Sequence, residues 1–89
     1  MKNKNVKAVL LVAPWCDSCY KIKPTFYETC RTLGARFEVL DVEKKDGLNM
    51  SIKYTVRNVP TILFIDNKGK EVGRSKGLNS CLDIINYVK

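Results

Sequence analysis

The sequence predicts an α/β domain: a four-stranded mixed sheet in the order β-α-β-α-β-β-α, with helices on both faces. Three observations predict it. An apolar run at 6–12 is followed by a long stretch of helical periodicity and then by a second apolar stretch at 35–42, so these two strands should be parallel and joined by a right-handed crossover. Residues 61–65 and 71–75 flank the turn Asn67-Lys68-Gly69, the pattern of an antiparallel hairpin. The chain has 89 residues, 45% of them apolar, enough for one core and too few for two, so 1–89 is read as a single domain.

Each element has a local reason. Residues 6–12 are apolar apart from Lys7, as in a strand covered on both faces. The first helix is expected over 17–33, because Cys19, Ile22, Phe26, Cys30 and Leu33 recur in steps of three and four and keep one face inward. Pro24 lies within this stripe. Its missing N–H and its clash with the Tyr20 carbonyl should kink the helix without ending it, since the stripe continues beyond. Gly34 stops it. In 35–42, Phe37, Val39 and Asp41 alternate with Glu38, Leu40 and Val42. Leu48 and Ile52 suggest a short helix over 48–54. Gly77 breaks the chain after the hairpin, Ser80-Cys81-Leu82-Asp83 has the form of a capping box, and Leu82, Ile85 and Val88 are expected to face inward from the last helix.

Charge and hydropathy narrow the function classes. The net charge is +7, but the lysines (Lys2, Lys4, Lys7, Lys44, Lys45, Lys68, Lys70, Lys76) are scattered over ends and turns, without a stripe or interleaved aromatics. That is a solvated surface, suited to an acidic redox partner and not to nucleic acid. No apolar run approaches the roughly 20 residues of a membrane helix. The N-terminus has lysines before apolar residues, as a signal peptide does, yet Val6 to Ala13 is short and lacks an Ala-x-Ala site. The expectation is a soluble, monomeric, cytoplasmic protein with neither membrane nor nucleic-acid partner.

Chemistry concentrates in residues 8–26, AVLLVAPWCDSCYKIKPTF. Cys16 and Cys19 stand at a strand-to-helix junction, where unpaired N–H groups and the positive end of the helix dipole favour a thiolate by roughly 0.3–2 kcal/mol. Four cysteines and no histidine could also make two structural disulfides or one four-thiolate metal site, but only this pair is close in sequence. Cys16 is the candidate nucleophile. Cys19, one turn along on the same side, is the candidate resolving thiol, so the expected cycle is attack by Cys16, a mixed disulfide, then displacement by Cys19.

Trp15-Cys16-Asp17-Ser18-Cys19, with Pro24 in the helix and Val59-Pro60-Thr61 later, resembles the thioredoxin superfamily. The resemblance implies the minimal thioredoxin fold in a glutaredoxin-sized form without the extra N-terminal strand and helix. It implies a dithiol–disulfide oxidoreductase that reduces protein disulfides without cofactor or metal, and is itself reduced by a flavin-dependent thioredoxin reductase or by glutathione. It also implies that Val59-Pro60 is cis and packs on the cysteine pair, that the Val59 backbone pairs with extended substrate, that Trp15 covers the disulfide, and that Gly77 admits substrate backbone. Alternatives are a glutaredoxin-type reductase, a redox-inactive binding module, and a metal or iron–sulfur site bridging two chains through Cys16.

The sequence departs from the family pattern in several places. The usual buried aspartate and its lysine are replaced by Leu10 and Val39, the dipeptide between the cysteines is Asp17-Ser18, and Lys76-Gly77-Leu78-Asn79 stands where glutaredoxins have a Gly-Gly-Asp type of loop. A carboxylate on Asp17 about 6 Å from Cys16 would oppose its thiolate by about 0.7–3 kcal/mol, nearly cancelling the helix-end effect, and Asp17 is also the candidate proton acceptor for Cys19. Cys30 reads as an inert core thiol, and Cys81 as a thiol near the surface and open to modification.

Overall fold

A computed structural model describes residues 6–77 and 80–88; Lys2, Lys4, Leu78 and Asn79, and the side chains of Ser80 and Val88, lie outside the described set. The elements are β1 (Lys7–Val12), α1 (Asp17–Leu33), β2 (Arg36–Asp41), α2 (Lys45–Lys53), β3 (Thr61–Ile65), β4 (Glu71–Lys76), a 3₁₀ turn (Ser80–Asp83) and α3 (Ile84–Val88). The sheet order is β2-β1-β3-β4, with β1 parallel to β2 and antiparallel to β3, and β3 antiparallel to β4.

Alternation along β1 builds two cores. Ala8, Leu10 and Val12 meet Ile62 and Phe64 of β3, Cys19, Ile22, Phe26 and Cys30 of α1, and Cys81 and Ile84 at the C-terminus. Val9 and Leu11 join Leu63 and Ile65 on the opposite face, where Met50 and Tyr54 of the α2 region cover them. Helices therefore cover both faces, with β1 and β3 buried in the middle.

The Gly34 stop and the hairpin turn act as the sequence implies. Helix α1 passes unbroken through Pro24 and ends at Gly34, whose φ of 66° is left-handed, with Gly34 N–H donating to Arg31 O (3.1 Å) and Ala35 N–H to Cys30 O (2.9 Å). In the hairpin turn, the Asp66 carboxylate accepts the N–H groups of Lys68 and Lys70, each at 2.9 Å. Those backbone bonds, Lys70 foremost, hold the Asp66 carboxyl below its usual range.

Two expectations are corrected. Helix α2 begins at Lys45, three residues earlier than its apolar spacing indicates. Its first turn carries no apolar residue and is placed by Gly47, where a Cβ would collide with the Asp41 carbonyl, so the helix lies directly on the end of β2. At the C-terminus the inward face is Cys81, Ile84 and Tyr87; Leu82 and Ile85 are 75% and 50% exposed. Tyr87 decides it by stacking on Phe64, with ring centroids 4.3 Å apart, in a space that exists because residue 73 is glycine. Asp83, expected in a cap, accepts a hydrogen bond from the Ser75 hydroxyl and ties the 3₁₀ turn to β4.

Candidate functional site

β1 delivers the chain to the site, and the loop Ala13-Pro14-Trp15 turns it into α1. Cys16 N–H donates to Ala13 O (3.2 Å) and the Tyr20 hydroxyl to Pro14 O (3.2 Å), which closes the turn from both sides. Cys16 is the N-cap of α1, in extended conformation with φ −100° and ψ 105°. Its Sγ accepts the Cys19 N–H at 3.2 Å, the part usually taken by a serine or aspartate oxygen. The sulfur thus occupies the place where a helix end favours negative charge.

Cys16 and Cys19 are joined as a disulfide, with their Cα atoms 5.3 Å apart. Both are buried, Cys19 more deeply (1% exposed against 7%), so Cys16 is the sulfur nearer the rim. Asp17 follows in the exposed first turn. In the same core cluster, Leu10 is fully buried and its register partner on β2 is Val39, so these two positions hold no acid and no base.

The sequence-predicted residues fall in three places. The Val59-Pro60 bond is cis, as the resemblance implies, and Val59 packs against the core cluster that contains both cysteines. Thr61, fully buried, donates its hydroxyl to Asn58 O (2.6 Å), and Gly77 N–H donates to Pro60 O (3.1 Å), bracing the proline loop from two sides. Gly77 has φ 82° with open space where a Cβ would lie, so glycine serves there for its conformation and not for clearance. Trp15 is 67% exposed; its Nε1–H donates to Glu43 Oε2 at 2.7 Å, and its ring and Val59 line one small cavity of about 150 Å³. Pro24 lies exposed within α1, outside this cluster.

Cys30 and Cys81 lie elsewhere, both free and both in the core. Burial, with Cys81 adding to it, pushes the Cys30 thiol up to about 12, and burial raises Cys81 as well. The expected surface position of Cys81 is corrected, because the inward rotation of the last helix takes it into the core. Among the described residues, no group of three His, Cys, Asp or Glu side chains is arranged to hold a metal ion, and no helix is long and apolar enough to cross a membrane.

The model of the thioredoxin family matches residues 1–89. The chain belongs to the thioredoxin family. Among solved structures it is similar to Schistosoma mansoni thioredoxin pre-protein in reduced form (TM-score 0.80, 30% identity, covering 93% of this chain and 75% of that one). It is likewise similar to Fasciola hepatica thioredoxin (TM-score 0.76, 31% identity, 86% and 72% covered). Curated relatives include a thioredoxin domain-containing protein of Theileria parva (34% identity over 62 residues, 70% of this chain and 28% of the relative) and a protein disulfide-isomerase of Triticum aestivum (31% over 90 residues, 97% and 17%). The chain therefore spans between about a sixth and a third of the length of these two curated relatives.

Three further residues that the sequence did not mark border the site. Glu43 anchors Trp15, and Lys23 and Asp41 line a cavity of about 270 Å³ that reaches Cys19. Period-two spacing from Phe37 and Val39 placed Asp41 on that face, but nothing local marks Glu43.

Proposed function

We propose that the chain reduces protein disulfides, with Cys16 as nucleophile and Cys19 as resolving thiol. The observation that carries this reading is the cap: the Cys16 sulfur accepts a helix N–H at the rim while Cys19 lies behind it, more deeply buried. A thiolate at Cys16 attacks one sulfur of a substrate disulfide and expels the other as a thiol, leaving a mixed disulfide. Cys19 then attacks Cys16, the substrate leaves with both sulfurs reduced, and the chain is left with the disulfide of the structure. Trp15, Val59 and Gly77 around the proline loop support a surface that receives extended substrate backbone, and Asp17, exposed beside Cys16, opposes its thiolate and favours the oxidised form of the pair. Both thiols of the pair come from one chain, which supports action as a monomer, and a cytoplasmic location is proposed with it.

The test is reduction of a disulfide-bonded protein by the purified chain. The expected result is turnover with a flavin-dependent thioredoxin reductase and its nicotinamide cofactor. Turnover only with glutathione and its reductase would assign the glutaredoxin-type activity, and turnover with neither would assign a binding module.

A further inference from the structure

We propose that Asp41 accepts the Cys19 proton through water held in the cavity between β2 and α1, with Lys23 stabilising the charge that develops on sulfur. This rests on the reading of Cys19 as the resolving thiol. A buried thiol must lose its proton before it attacks, and Leu10 and Val39, which share its core cluster, cannot take one. The cavity supplies another route. Cys19 forms part of its wall, and among the described residues the charged ones on the other walls are Asp41, from the end of β2, and Lys23, from α1; Tyr20, Tyr27 and Val12 also line it. At about 270 Å³ it exceeds many times the ~10–15 Å³ that one water needs, and its walls provide polar partners. Lys23 lies four residues beyond Cys19, on the same helix face.

Asp41 is held in place by its own backbone. It pairs with Val12 in the sheet, its carbonyl accepts Lys44 N–H at 3.0 Å and abuts Gly47, and its Oδ1 accepts Glu43 N–H at 2.8 Å. Asp17, by contrast, sits on the exposed first turn and is not part of this cavity. Asp41 is therefore better placed than Asp17 to serve Cys19, while Asp17 remains beside Cys16.

In the mixed disulfide, the Cys19 proton passes through water to the Asp41 carboxylate, and the Cys19 thiolate attacks Cys16 Sγ. The Cys16–Cys19 bond forms as the bond to substrate breaks, and the electron pair leaves on the substrate sulfur. That thiolate is protonated from solvent, and Asp41 returns its proton to solvent. Two electrons pass from the cysteine pair to the substrate.

Rapid mixing of the reduced chain with dithiobis-nitrobenzoate separates the two thiols, because attack by Cys16 releases one coloured thiolate and resolution by Cys19 releases a second. Asp41→Asn, which keeps an oxygen for Glu43 N–H, should slow the second phase about tenfold or more near neutral pH and leave the first within about twofold. The slowing should vanish at alkaline pH, where the thiol ionises unaided. Lys23→Met should slow the second phase by about threefold and Lys23→Arg should restore it. An unchanged second phase in Asp41→Asn, or a slowing equal at every pH, would overturn the proposal. Cys19→Ser separates it from the underlying assignment: a second phase that persists there means that Cys19 does not resolve, and both readings fail.

Discussion

Helix α1 carries cysteines at both ends, and the ends behave oppositely. At the N-terminus, Cys16 caps the helix and takes an N–H on its sulfur; fourteen residues later in the sequence, Cys30 is fully enclosed by apolar side chains, with Cys81 of the C-terminal segment in the same cluster. The residue type is the same, so the difference lies in what the backbone and the core offer the charged form of sulfur. Unpaired amides and the dipole favour a thiolate at the first site, and desolvation disfavours one at the second. On the proposed function, the reactivity of a cysteine here follows from its position along the helix.

The largest effect expected from this contrast is catalytic. Cys16→Ser should reduce disulfide reduction to the uncatalysed level, and Cys19→Ser should leave a chain that accumulates mixed disulfides, measured as covalent adducts on non-reducing gels. Equal trapping by both variants would break the assignment of roles.

Next comes the enclosure of the C-terminal thiol. Gly73→Ala places a methyl group in the Tyr87 ring, so α3 should undock at a cost of about 1–3 kcal/mol. Alkylation followed by mass spectrometry should then find Cys81 labelled at a rate well above wild type, with Cys16 labelling in the reduced chain unaltered. If Cys81 stays protected, α3 is held by contacts other than the Tyr87–Phe64 stack.

Cys30→Ala tests whether the core thiol is inert. Activity should be retained, and denaturant titration should show a loss of about 1–2 kcal/mol from the missing sulfur. With the native thiol raised from 9.0 to about 12, its stabilising effect is complete below pH 9 and is lost as pH climbs toward 12, because the unfolded chain ionises first. Wild type should therefore lose more stability than Cys30→Ala over that window; parallel curves would show that Cys30 ionises no differently once folded.

The smallest effect belongs to Asp17. Its charge is exposed and screened, so Asp17→Asn should speed alkylation of reduced Cys16 at neutral pH only about threefold, and the gain should shrink in high salt. Rates superimposable on wild type at low salt would remove Asp17 from any tuning of the nucleophile.

Much of this protein is determined by patterns a few residues long. The bounds of α1 follow from its stripe and from Gly34, β3 from an uninterrupted apolar run between the proline loop and a turn, and the redox pair from two cysteines at a strand-to-helix junction; the tertiary structure places each where local chemistry does. What the tertiary structure alone decided involves partners far apart in sequence. The last helix offers two apolar faces of similar strength, and the choice of Cys81, Ile84 and Tyr87 depends on Phe64 and on the missing side chain at Gly73. The early start of α2 depends on a backbone contact between Gly47 and Asp41, which hydropathy cannot register. Glu43 reaches Trp15 across 28 residues, and Asp41 and Lys23 border the cavity of Cys19 from different elements. Periodicity reports which side of an element is apolar, and only packing reports which atoms meet across the space between elements.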